Sequence, residues 1–186
     1  MKPVMTPLMT PIEQTRHWLE QAVIGLNLCP FAKAVHTRGQ IRWVQSSATN
    51  VPALMADLVH ELQLLAAADP EAIDTTLLVH PQVLADFLDY NDFLELADAA
   101  LEELGLDGEL QIASFHPQYQ FEGTAPEDVE NFSNRSPYPT LHLLREASVD
   151  SAVAAFPEAE TIYERNIETL QALGADGWAR RMAGRP

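Results

Sequence analysis

Sulfur and positive charge are both scarce in this chain. A single cysteine, Cys29, stands among 186 residues. One thiol excludes an internal disulfide framework and any metal site built from cysteines alone within one chain. Lys and Arg number 11 against 27 Asp and Glu, a formal net charge of −16. Between Arg42 and Arg135 there is no Lys or Arg, while acidic residues recur throughout. A polyanion would meet repulsion along most of such a surface, so neither nucleic acid nor an anionic membrane is an expected partner. A cationic protein or a metal ion is physically allowed, and a solubilising acidic face is the plainer explanation. Glycine is sparse as well: eight residues, scattered, with no G-x-G-x-x-G or Walker pattern, so no nucleotide cofactor is implied. No apolar run is long enough to span a bilayer. The opening MKPVMTPLMTPIEQ holds three prolines and lacks the continuous apolar stretch of a secretory signal. The expected location is cytoplasmic.

What is present fits an ordinary soluble domain, with 47% apolar and 20% charged residues. Chains divide into domains mainly above roughly 250 residues, so residues 1–186 are expected to form one domain. Residues 1–9 are expected to be a flexible N-terminus and 175–186, ADGWARRMAGRP, a weakly defined tail. Thr10-Pro11-Ile12-Glu13 carries a capping threonine, a proline at the first helical position and a glutamate at the third. Apolar residues from Ile12 to Leu26 repeat at helical spacing, predicting a helix to about Leu28. IRWVQSS (41–47), TTLLVHP (75–81), LQIASFHP (110–117) and TLHLLRE (140–146) read as strands. Helices are expected between the first three: one after Asn50 to Asp69-Pro70, and one from about Gln82 to Leu104, divisible at Asn91-Asp92. Ser148 and Pro157 open two final helices, the second ending before Gly174.

The fold class expected is therefore α/β, with α+β as its near variant. It is a small mixed four-stranded sheet: three parallel strands from a βαβαβ unit plus one antiparallel strand, covered by helices. The connection from 117 to 139 leaves the carboxyl end of the third strand and returns at the same edge. Ligands bind outside that edge in open α/β sheets. The second strand ends there as His80-Pro81 and the third as His116-Pro117. Connections of this length are usually functional or disordered. Phe115, Tyr119, Phe121, Phe132 and Tyr138 supply apolar anchors that favour order, and Glu122, Asp128, Asn131, Asn134 and Arg135 supply polar groups.

Arg135 is the first cation after a long acidic stretch, and its planar fork suits a carboxylate or phosphate. Acid–base chemistry by His80 and His116, with Arg135 holding charge and Glu122 as hydrogen-bonding partner, is the reading that needs fewest assumptions. Tyr119, Asn131, Asn134 and Tyr138 are the candidate substrate contacts. The topology predicts that His80, His116 and Arg135 line one cavity. A purely structural role for these histidines stands beside that reading, as does a loop-closing pair between Arg135 and Glu122 or Asp128. His142, inside the fourth strand, is expected to be packed. His17, His36 and His60 have no converging context. A metal shell of His80, His116 and His142 with Glu122 or Asp128 has suitable donors but no compact ligand motif, so the cofactor is unknown.

Cys29 offers a rival site. A nucleophilic thiolate would need a helix amino terminus, which Pro30 could begin, or a cation such as Lys33. The alternative is a buried thiol packing as a small apolar group. In LNLCPFA, FHPQYQFEG and NRSPYPTLHLLRE the chain resembles an uncharacterised bacterial family, the domain of unknown function numbered 1415. That resemblance implies one intact domain and carries no activity, cofactor or residue role. Three functions stay open: a hydrolase or transferase acting on a small anionic metabolite, a non-catalytic ligand-binding or acidic protein-interaction domain, and a thiol-dependent enzyme.

Overall fold

Capping chemistry starts the first helix where the sequence places it. Thr10 Oγ1 accepts the Glu13 N–H, and the Glu13 carboxylate accepts the Thr10 N–H at 2.7 Å, with Pro11 in the first turn. The computed structural model describes residues 8–184. Residues 1–7 and 185–186 lie outside the described residues, and with them most of the expectation for the N-terminus. The elements are α1 (Pro11–Trp18), continued by a π-helical segment Leu19–Ile24, then α2 (Ala32–Thr37), β1 (Ile41–Gln45), α3 (Val51–Ala67) and β2 (Thr75–Val79). After them come α4 (Phe87–Glu103), β3 (Leu110–Phe115), a 3-10 turn Val129–Asn134, β4 (Thr140–Arg145), α5 (Glu146–Ala155) and α6 (Ile162–Ala183).

The sheet runs β1-β2-β4-β3, with β1 parallel to β2 and β4 antiparallel to both of its neighbours. The three strands separated by helices do point the same way, but only one pair of them is hydrogen-bonded. β4 inserts between β2 and β3. It satisfies its backbone on both sides, and its Leu141 and Leu143 are fully buried, as the apolar run TLHLL requires. One face of the sheet packs on α3 and α4 through Leu54, Leu58, Leu62, Leu78, Tyr90 and Phe93. The opposite face packs on α1 and its continuation, where Trp18, Leu19, Ala22 and Val23 meet Ile41, Trp43 and Phe115. Among the described residues no helix is long and apolar enough to cross a membrane.

Three helices depart from their expected limits, each for a local reason. α1 widens into π geometry at Leu19, so Gly25 N–H reaches Glu20 O and Leu28 N–H reaches Val23 O, five residues back. The Gln21 carbonyl is then taken by Arg181 Nε from α6. α4 starts at Phe87 because the carbonyls of Val83 and Leu84 are occupied by histidines and Asp86 caps the amides of Leu88 and Asp89. It is unbroken at Asn91-Asp92. α6 breaks at Gly174, where φ is 67° and ψ 171°, so its first stretch ends before the glycine as expected, and a second stretch runs on to Ala183 where a weakly defined tail was expected. Tertiary contacts hold that second stretch: Trp178 packs on Phe132, with ring centroids 5.4 Å apart, and Arg181 bonds α1. The short α2 had no periodic signal in its six residues.

Arg145 closes the end of the sheet opposite the strand ends that carry His80 and His116. Its Nη2 donates to the carbonyls of Leu65, Ala68 and Ile73 at 2.7, 2.9 and 2.9 Å. Those carbonyls lie at and beyond the C-terminus of α3, where orphan acceptors and the helix dipole favour a cation. The side chain is buried, so truncation would strand several acceptors. Arg145→Ala is expected to cost about 2–4 kcal/mol of stability, with Arg145→Lys recovering only part because lysine lacks the fork. Urea denaturation of the three proteins measures this.

Candidate functional site

At the carboxyl edge, Tyr90 of α4 stands between the ends of β2 and β3. Its hydroxyl donates to Thr140 O at 2.8 Å and accepts the Phe115 N–H at 3.1 Å. Phe115 and Thr140 are partners across the β3–β4 pair, so one phenol fastens the connection where it leaves and where it returns. The rings of His80 and His116 lie against Tyr90, with centroids 5.8 and 5.0 Å away. Burial raises the tyrosine's pKa far above its usual value, so it works as a neutral hydrogen-bonding group.

The two histidines reach the same edge but face the core. His80 is fully buried, with Nδ1 3.1 Å from Val83 O, and burial lowers its pKa to about 4. His116 is also buried. Its Nε2 donates to Leu84 O at 3.0 Å while its Nδ1 accepts the Gln118 N–H at 3.0 Å. Burial lowers its pKa too. Both ring nitrogens of His116 are therefore occupied in one neutral tautomer. Leu84 has a φ of 60°, uncommon for a leucine, and this turn presents successive carbonyls to the two rings. Of the four ring nitrogens of this pair, His80 Nε2 is the one without a partner among the described residues. The pair holds the 80–86 turn, and neither ring is in the lining of the cleft that Arg135 lines.

Within the 117–139 connection the polar side chains bind the loop to itself. Buried Asn131 accepts from Phe121 N and Thr124 Oγ1 and donates to Ala125 O. Asn134 Nδ2 donates to Ser114 O, and Asp128 accepts the Ala125 N–H. Tyr119 packs its ring on Phe87 and Phe121, and Tyr138 Oη accepts from Gln14 Nε2. Glu122 is exposed and makes no side-chain hydrogen bond among the described residues. Arg135 donates Nε to Tyr119 O at 3.0 Å and Nη2 to Pro126 O at 2.7 Å, with its guanidinium over the Phe132 ring. It closes the loop through carbonyls, not through Glu122 or Asp128. Its Nη1 has no protein partner among the described residues.

Beside this loop lies a cleft of about 1100 Å³, between α1, the last turns of α6 and residues 132–137. Arg135 and Pro117 line it, which ties it to the predicted edge, and so do Arg16, His17, Trp18 and Trp178. His17 is 8% exposed and Trp18 2%. Neither ring nitrogen of His17, nor Trp18 Nε1, has a hydrogen-bond partner among the described residues. Each such buried group left unpaired costs roughly 1–3 kcal/mol. Two carboxylates also reach the cleft, but Glu13 is held in the capping box and Glu20 lies 3.1 Å from His36. In the sequence alone His17 has no converging context. The signal was Gln14 and His17 at helical spacing beside the core stripe of Thr15, Trp18 and Leu19, and it becomes legible only once α6 and the loop pack alongside.

The rival residues fall elsewhere. Cys29 is partly buried and packs with the α1 core cluster. Burial raises its pKa, and the backbone amides of Phe31 and Ala32 offset this incompletely, the opposite of an activated thiolate. His142 Nε2 donates to Thr75 Oγ1, which in turn donates to Leu143 O, and burial depresses its pKa. Among the described residues no group of three or more His, Cys, Asp or Glu is arranged to hold a metal ion.

A family model described as Protein of unknown function (DUF1415) matches residues 10–180, nearly the whole chain. Neither the comparison with curated proteins nor that with solved structures finds a match.

Two predictions follow from these environments. His80 is neutral when folded down to about pH 4, whereas an unfolded histidine takes its proton near pH ~6.5. The stability from its burial is thus complete above the unfolded value and is lost as pH falls towards 4. The urea midpoint is expected to drop between pH 7 and pH 5, and to drop less in His80→Gln; equal drops would show that His80 does not titrate this way. For Cys29, iodoacetamide at pH 7 is expected to react slowly with folded protein and quickly once urea unfolds it.

Proposed function

The chain belongs to the DUF1415 family, and from that premise we propose that it binds a small anion of carboxylate or phosphate class in the cleft between α1, α6 and the β3–β4 connection. The observation that carries this reading is the buried His17, with both ring nitrogens unpaired, beside an unpaired indole N–H in a cleft holding two arginines. The groups without protein partners there are mostly donors: Trp18 Nε1, one His17 N–H and Arg135 Nη1, with the Arg16 guanidinium 4.8 Å over the Trp43 ring. An acceptor-rich ligand satisfies such a set, and charge-assisted bonds make an anion the strongest candidate. Of the acidic neighbours, Glu13 and Glu20 already have partners and so oppose an anion less than their count suggests, while Glu127, outside the cleft lining, acts on Arg135 by charge. In a chain of net charge −16, this is where cations collect beside unpaired donors.

If the bound anion is also a substrate of a hydrolase or transferase, His17 is the acid–base group within the cleft. His80 and His116 are bonded away from it, so the catalytic role first considered for them passes to His17. Glu122 and the asparagines of the loop act in holding its shape. A thiol mechanism at Cys29 has no support from its raised pKa or from its place outside the cleft lining.

Calorimetric titration with matched pairs tests the reading: benzoate against benzamide, phenyl phosphate against phenol, acetate against acetamide. Wherever a pair binds, the charged member is expected to bind at least about tenfold more tightly, the scale of one charge-assisted hydrogen bond. Arg16→Gln and His17→Leu are each expected to weaken it by about tenfold, and Arg135→Lys likewise. Equal binding of charged and neutral members, or variants indistinguishable from the parent, would reject the proposal.

A further inference from the structure

We infer that the anion taken by the cleft is carried on a flat aromatic ring, so that the ligand class is an aryl carboxylate or aryl phosphate. This rests on the anion-binding reading and adds to it what the rest of the cleft recognises. A volume of about 1100 Å³ far exceeds what acetate or inorganic phosphate fills. The cleft is open to solvent and larger than pockets that enclose a whole organic ligand, so a ligand occupies only part of it. Its lining includes three aromatic side chains besides His17, among aliphatic and polar residues. Trp18, Phe132 and Trp178 all line the cleft, which takes up two of the three tryptophans in the chain.

Their arrangement suits a planar guest. Phe132 and Trp178 are inclined at 48° with centroids 5.4 Å apart, and both are only half-buried. Offset and inclined ring contacts of this kind are the favoured aromatic geometries. The Arg135 guanidinium lies 5.0 Å over Phe132, which sets the cation beside the ring wall. A ligand whose acid group is joined directly to its ring meets both together. The wall itself is placed by α6. The break at Gly174 redirects the final turns, and Arg181 fastens them to the Gln21 carbonyl freed by the π-helical segment. Trp178 is thereby brought to the cleft from a different part of the chain than the arginines.

Calorimetry on the full chain with four probes separates this inference from the one beneath it: phenyl phosphate, benzoate, octanoate and inorganic phosphate. Phenyl phosphate and benzoate are expected to bind at least about tenfold more tightly than inorganic phosphate and octanoate, the scale of one aromatic stacking contact. Trp178→Leu should remove most of that advantage while leaving the weak inorganic phosphate binding unchanged. Circular dichroism confirms that the variant is folded, and the order of the four probes on the parent protein decides the point independently of it. Octanoate binding as tightly as benzoate, or inorganic phosphate as tightly as phenyl phosphate, overturns the aromatic inference and leaves the anion reading standing. If none of the four binds, both fall.

Discussion

One phenol hydroxyl governs the carboxyl edge of this sheet. Tyr90 Oη joins Phe115 N–H to Thr140 O, the last residue of β3 to the first of β4. Everything between them is a long excursion that must start and end at fixed points to hold any shape. The rings of His80 and His116 both pack against the phenol ring, and the two are held in turn by the carbonyls of Val83 and Leu84. The arrangement depends on charge being absent: buried imidazole and phenol keep neutral forms, whose donors and acceptors match what the backbone offers. Protonating either ring places a cation in the core and weakens the frame.

The connection built on that frame is likewise self-satisfying. Asn131, Asn134 and Asp128 bond its backbone, and Arg135 spans two of its turns through the carbonyls of Tyr119 and Pro126. Residues rich in chemistry are thus used to hold a loop in one conformation, a role that loop backbone demands when regular ladders are absent. Groups without partners gather on its far side, where the loop meets α1 and α6. Of the five buried side-chain atoms without a partner among the described residues, three belong to His17 and Trp18 at the cleft, while Thr76 Oγ1 and His80 Nε2 lie in the scaffold.

Much of the fold could be read from residues. The His-Pro strand ends, the helix cap at Thr10 and the antiparallel return of β4 all have local causes, and they place the long connection correctly over the carboxyl edge. Strand order could not be read, because alternation and β-branching identify strands without saying which pair. Inserting β4 between β2 and β3 separates their ends, and Tyr90 fills the interval. The roles of His80 and His116 were hidden by Leu84, a residue type that gives no warning of a positive φ. Gly174 does end the first stretch of α6, and only the contacts of Trp178 and Arg181 account for the helical turns beyond it. His17 was obscured most completely, since the elements that bury it come from the loop and from α6, more than a hundred residues away in sequence.

The central claim is that the cleft histidine answers to ligand while the edge histidines belong to the frame. Nitrogen-15 spectra of the imidazoles, recorded as phenyl phosphate is added near neutral pH, test it most directly. The account predicts that the His17 ring nitrogens shift with saturation. It also predicts that His80 and His116 each keep the signature of a single neutral tautomer, protonated at Nδ1 and Nε2 respectively. Ligand-dependent shifts at His80 or His116 with His17 unmoved would contradict it, and would return the site to the strand ends.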